Sequence, residues 1–153
     1  MPIYFYVPSD EYGCFSNFSP HGFSDEGTYW LTVEHYFQAQ KFLQPEHKER
    51  IRQARTAKEA KNIGRDRSLP LRADWESVKR KVMRFAVLRK FETHAEPRGI
   101  LLSTGDEDLV ENAPGDYYWG CGADGTGQNV LGQILMEVRD ELRRRQDPAK
   151  KQR

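Results

Sequence analysis

The chain has 153 residues, enough for one domain around one hydrophobic core. Its formal net charge of +1 excludes a global field that would draw it to nucleic acid or to an anionic membrane. Charged residues make up 31% of it, and its apolar runs are far too short to cross a bilayer. Residues 1–7 lack a basic start and a long apolar stretch, so no secretion signal is expected and cytoplasm is the expected address.

Residues 3–7 are rich in β-formers and predict a first strand, ended by Pro8-Ser9-Asp10. Residues 12–20 read as a loop by their Gly, Ser, Asn and Pro, yet carry Phe15 and Phe18 beside Asn17. Such a loop either stacks a flat ring and reads its edge, or plugs the core with its phenylalanines. Residues 23–30 predict a hairpin turning at Asp25-Glu26-Gly27. A helix over residues 32–43 follows, with Thr32 as its N-cap. At 3.6 residues per turn, Glu34, Gln38 and Lys41 share one side, bordering the apolar arc of His35, Tyr36, Ala39, Phe42 and Leu43. That row is either a solvated stripe or a functional edge.

Further helices are predicted over residues 45–54 and 57–64, the latter stopped by Gly64. The basic loop 65–72 holds Arg65, Arg67 and Arg72, fit either for phosphate or for solvent. Asp74 is the expected cap of a long buried helix from Trp75 to about residue 94, with apolar stripes at Val78, Val82, Phe85, Ala86 and at Met83, Val87, Phe91. Pro97 opens a short helix, and residues 109–111 predict a strand. Residues 112–129 form a Gly-rich loop containing Asp116 and three successive aromatics, Tyr117-Tyr118-Trp119. Asn129 is the expected N-cap of the last helix, whose Leu131, Ile134, Leu135, Val138 and Leu142 keep helical spacing. Residues 1–145 are thus expected to be one compact α+β domain, mostly helical with a few short strands, and residues 146–153 a basic, solvating tail.

Gly120, Gly122 and Gly125 match a dinucleotide fingerprint only superficially, since no buried strand precedes them. Gly120 and its neighbours do permit close backbone approach, and the helix N-terminus that follows offers N–H groups to an anion. Cys14 and Cys121 are expected as free thiols. His21, His35, His47 and His94 stand apart with no partner at ligand spacing, so neither a metal nor another cofactor is expected.

Two acids, Glu34 and Asp116, remain as catalytic candidates. Aromatic planes at Phe18, Trp75 and Trp119, amides at Asn17, Gln38 and Asn129, and cations at Lys41 and Arg65 suit a flat base, a sugar and a phosphate. Breaking a glycosidic bond needs a carboxylate to stabilise an oxocarbenium-like centre or to activate water. Glu34 sits in the first turn of a helix, whose field favours the ionised form, so it is cast as base or stabiliser. Asp116 is either the second acid or a turn former.

The segments Phe15-Ser16-Asn17-Phe18, Glu34-His35-Tyr36-Phe37-Gln38-Ala39-Gln40-Lys41-Phe42, Gly64-Arg65, Trp75-Glu76, Leu109-Val110-Glu111, Asp116 to Gly120 and Asn129-Val130-Leu131-Gly132 together resemble the NADAR family, most nearly its YbiA-like N-glycosidases. The resemblance runs from about residue 5 to residue 142. It implies a compact, mostly helical α+β fold without metal, and hydrolysis of the N-glycosidic bond of ribosylamino-pyrimidine 5′-phosphates early in riboflavin biosynthesis. Other members of that family release ADP-ribose from modified guanine in nucleic acid. Glu34 matches the family's key glutamate, Asp116 its loop aspartate, and Trp75 and Trp119 its tryptophans. Lys41, Arg65 and Asn129 also fall on motif positions. Cys121 stands where such sequences more often carry a polar residue.

The resulting expectation is a monomer or weak oligomer that takes a small nucleotide-like molecule and binds no membrane. The base would stack between Trp119 and Trp75 or Phe18, with Asn17, Gln38, Gly120 and Asn129 lining the site. Lys41, Arg65 and the start of the last helix would hold phosphate. Two rivals are an ADP-ribosyl-guanine hydrolase, which needs nucleic acid as partner, and a non-catalytic nucleotide sensor.

Overall fold

Thr32 shows how directly some elements follow from the sequence. Its backbone is extended, and its hydroxyl accepts from the amide of His35, so the helix α1 (Val33–Ala39) begins where an N-cap predicts. It ends four residues earlier than expected. The amides of Lys41 and Phe42 turn back to the carbonyls of Gln38 and Ala39, three residues away, which tightens the chain out of the α-helix. Gln44 then stays extended because Pro45 follows, and Pro45 opens the helix α2 (Pro45–Arg52).

The computed structural model describes residues 1–146. The tail expected from residue 146 lies, beyond Gln146, outside the described residues. Six α-helices and four short strands are formed among the described residues, an α+β architecture as expected. They group into two compact units, Asn17–Thr93 and a second made of Met1–Ser16 with the chain from His94 onward.

The continuous unit begins with a hairpin, β2 (Phe23–Asp25) and β3 (Thr28–Trp30), pairing Phe23 with Trp30. Glu26 and Gly27 both take positive φ, 48° and 81°, the two-residue turn whose twist matches paired strands. All seven residues of α1 are buried, because α2, α3 (Ala57–Gly64), α4 (Trp75–Thr93) and β3 surround it. On α4 the stripe of Met83, Val87 and Phe91 is fully buried with Ala86, while Val78, Val82 and Phe85 are only half-buried. Asp74 gives its carbonyl to the amides of Ser77 and Val78, and its carboxylate takes a two-pronged bond from Arg72 at 2.6 and 3.0 Å. The helix α3 closes at Gly64 as expected, but not through a left-handed conformation, since Gly64 is absent from the residues with positive φ.

The other unit pairs β1 (Ile3–Phe5) with β4 (Leu109–Glu111) in parallel, Ile3 opposite Leu109. A 3-10 turn over Gly13–Phe15 buries Phe15 edge-on against Phe5, so this aromatic is a core plug. The helices α5 (Ala95–Ser103) and α6 (Val130–Gln146) pack together, and α6 also covers β4. Leu131, Ile134, Leu135, Val138 and Leu142 are all buried, as their spacing predicts. Each such side chain contributes roughly 1.5–3 kcal/mol by leaving water.

Candidate active site

Glu34 is a carboxylate that the fold has taken out of water. The first turn of α1 holds it with 7% of its surface exposed. Its amide donates to the carbonyl of Asn17, which ties the 12–20 loop to the helix start. One turn on, Gln38 Nε2 donates to Glu34 Oε1 at 2.8 Å. Burial raises the Glu34 pKa above its ordinary value of 4.5, and this outweighs the opposing pulls of the Gln38 bond and of Lys61, Lys41 and Arg65. The helix field, expected to favour the ionised form, does not decide the outcome.

The cations come from two elements. Lys41 follows α1, donates to the Gly64 carbonyl at 3.4 Å, and lies 5.9 Å from the Phe37 ring centroid. Burial lowers its pKa, opposed by the nearby Glu34. Lys61 projects from α3, and its ammonium lies 5.8 Å from the ring centroid of Phe18. Arg65 caps the end of α3 and is exposed, so solvent screens its pull on Glu34. Lys61 carries no motif signal and was not among the expected site residues. The signal that could have found it is position: it flanks Ala60 and Gly64, the small residues by which α3 approaches α1.

The remaining expected residues of this unit fall into two groups. Phe18 is half-buried beneath Lys61, and Asn17 Nδ2 touches Met83 Sδ at 3.5 Å while its Oδ1 is buried without a partner among the described residues. Trp75 is different. It is 5% exposed and packs on Phe37 at 5.1 Å, so its ring serves the core and offers no open plane for a base.

In the other unit, the Gly-rich loop is ordered by its own backbone. Asp116 Oδ1 accepts from the amides of Tyr118 and Trp119 at 3.0 and 2.8 Å, the bonding of a turn former. Trp119 is half-buried and sits at right angles to Tyr118, 4.7 Å away. The amides of Gln128, Asn129, Val130 and Leu131 donate to the carbonyls of Tyr117, Gly120, Tyr118 and Trp119. The amides of Val130 and Leu131, at the start of α6, are therefore spent on this loop and are not free for an anion. Asn129 adopts φ 53°, and its amide group clasps β4: Oδ1 accepts from Glu111 N and Nδ2 donates to Leu109 O, both at 2.9 Å. It neither caps α6 through its side chain nor keeps that amide for a ligand. Gly120 is needed for packing, since a β-carbon there would lie 2.8 Å from the Ala113 side chain. Among the described residues no group of three or more His, Cys, Asp or Glu is placed to hold a metal ion. Nor is any described helix long and apolar enough to cross a membrane.

The sequence profile of the NADAR domain matches residues 4–143. The chain belongs to the NADAR family. Within it, the chain is 55% identical over 146 residues to N-glycosidase Npun_R5314 of Nostoc punctiforme, covering 94% of each. It is 52% identical to N-glycosidase YbiA of Escherichia coli, over 92% of this chain and 88% of that one. The NMR structure of Escherichia coli YbiA superposes with a TM-score of 0.88 at 50% identity, over 95% of this chain and 87% of that one. A longer relative, riboflavin biosynthesis protein VVA0006 of Vibrio vulnificus, is 42% identical over 93% of this chain and 39% of its own length. With relatives so named along nearly its whole length, this NADAR chain is an enzyme of the N-glycosidase class, a hydrolase of N-glycosyl compounds.

Proposed function

We infer that the enzyme hydrolyses the N-glycosidic bond of ribosylamino-pyrimidine 5′-phosphates, the early intermediates of riboflavin biosynthesis, releasing ribose 5-phosphate and the free base. The observation that carries the reading is Glu34, a buried carboxylate with Lys61, Lys41 and Arg65 around it. The riboflavin-biosynthesis name of the longer relative supports this choice of substrate.

A carboxylate deprived of water is a stronger base and responds more strongly to positive charge appearing beside it. An oxocarbenium-like C1′ is such a charge. Glu34 stabilises it and takes a proton from the water that adds to C1′, while the C1′–N bond breaks, its electron pair stays on the departing nitrogen and that nitrogen takes up a proton supplied by water. Lys41, Lys61 and Arg65 attract the 5′-phosphate. Within the other unit, Trp119 is the ring proposed to stack a base, and Asp116 sets it through the two amides it holds. The substrate is a small nucleotide-like molecule met in the cytoplasm.

The test is mass spectrometry of products from two substrates, a freshly prepared ribosylamino-pyrimidine 5′-phosphate and an ADP-ribosylated guanine oligonucleotide, each also incubated with Glu34→Gln. Ribose 5-phosphate from the first, lost in the variant, is the expected result. ADP-ribose from the second alone would move the enzyme to nucleic-acid repair, and binding without turnover of either would make it a sensor.

A further inference from the structure

Gln38 has a peculiar hydrogen-bond account. It is 3% exposed, and its Nε2 donates to Glu34 Oε1. Its Oε1 is buried and has no partner among the described residues. A buried carbonyl left unpaired is destabilising, so an amide placed this way is held by something other than its own bonding. The group holding it is Gly64. The direction in which a side chain would leave Gly64 points at Gln38: a β-carbon there would fall 2.0 Å from Oε1 and 2.8 Å from Cβ and Cδ. Only a bare backbone at residue 64 leaves room for the amide as it lies. Turned over, the amide would set its oxygen against the carboxylate, which is repulsive whenever Glu34 is ionised.

We propose that Gly64 and Gln38 are a positioning pair for Glu34, in which the glycine backbone locks the glutamine amide with its N–H toward the carboxylate and neither residue touches substrate. Gln38 Oε1 is buried away from solvent, which fits a positioning residue and not the direct contact expected from the sequence. Loss of the Nε2 bond removes a pull that holds the Glu34 pKa down, so Glu34 should keep its proton to higher pH. The other charges facing Glu34 are Lys41 after α1, Lys61 of α3 and Arg65 at the end of α3. Beyond them, Lys79 of α4 faces Lys41, Glu59 of α3 faces His35, and Lys48 of α2 bonds Gln40. None of these is altered by the variants below.

The experiment follows the side-chain carboxyl carbon of Glu34 by NMR in protein labelled with carbon-13 glutamate, the signal being assigned by its loss in Glu34→Gln. Wild type, Gln38→Met, Gly64→Ala and the double variant are titrated without substrate. The methionine keeps the volume of the glutamine and removes its donor, so it decides the question even if Gly64→Ala fails to fold. The expected result is a Glu34 midpoint displaced to higher pH in each single variant, with the double displaced no further than Gln38→Met. An unmoved midpoint in Gln38→Met overturns the proposal. So does a Gly64→Ala protein that melts lower with its midpoint unmoved, which would make the glycine a packing residue only. The kinetic arm rests on the N-glycosidase reading: kcat should fall roughly ten- to a hundredfold in both variants with KM nearly unchanged. A wild-type protein without turnover would overturn that reading, while the titration would still decide this one.

Discussion

A carboxylate in a dry site costs stability in exchange for reactivity, and Glu34 is placed to show both. The unfolded chain ionises this group near its ordinary 4.5, whereas the folded chain keeps the proton to higher pH. Its contribution to stability is therefore greatest below that ordinary value and is lost as pH rises through the folded value. Glu34→Gln should abolish turnover and raise the melting temperature at neutral pH, by about 2–4 °C for each kcal/mol recovered. A parallel scan of wild type and variant checks both halves. If the ionised carboxylate is the working form, kcat/KM should fall on the acid side at a pH above the ordinary carboxylate range. His35 has the opposite linkage. Its Nε2 meets the Ala54 carbonyl at 2.9 Å and its Nδ1 meets Thr32 Oγ1 at 2.8 Å, and burial lowers its pKa from 6.5. The unfolded chain takes up a proton first, so stability is full above 6.5 and falls below it. Melts from about pH 7 down to about pH 5 should show that fall, and His35→Gln should flatten it.

Among the elements, α1 and the Gly-rich loop make separable predictions. Thr32 caps α1 and also meets His35, so Thr32→Ala should cost about 0.5–2 kcal/mol in denaturant unfolding. In the loop, Asp116 Oδ1 takes both amide bonds, and an asparagine oxygen can take them equally. Asp116→Asn should keep the melting temperature and most of the turnover, while Asp116→Ala should release Trp119 and raise KM. Trp119→Ala should raise KM as well, since base–aromatic stacking contributes roughly 1–3 kcal/mol. Steady-state kinetics on the three variants sorts these outcomes. The start of α1 was legible because capping is a local matter of one hydroxyl and one amide. The end of α1, the reason for Gly64 and the employment of Asn129 were not. Each depends on a partner far away in the chain: Pro45 with its upstream turn, the Gln38 amide, and the backbone of β4.

For the molecule as a whole, the α+β class and the apolar stripe of α6 could be read from periodicity, because spacing alone determines which face is buried. Burial of Trp75 against Phe37 and the approach of Lys61 to Glu34 could not, since both are set by how α3 and α4 lie on α1. The two units also differ in how the chain enters them. Residues 17–93 form one unit from a continuous stretch, with a hairpin and four helices in sequence order. The other unit joins β1 to β4 across that stretch, Ile3 to Leu109 and Phe5 to Glu111. On a ribosome adding about 5–20 residues per second, the aromatic segment Ile-Tyr-Phe-Tyr-Val emerges roughly a hundred residues ahead of its partner strand. For about 5–20 seconds of each synthesis it is an unpaired, β-prone stretch, the kind of segment that nascent-chain chaperones shield and that associates between chains when they do not.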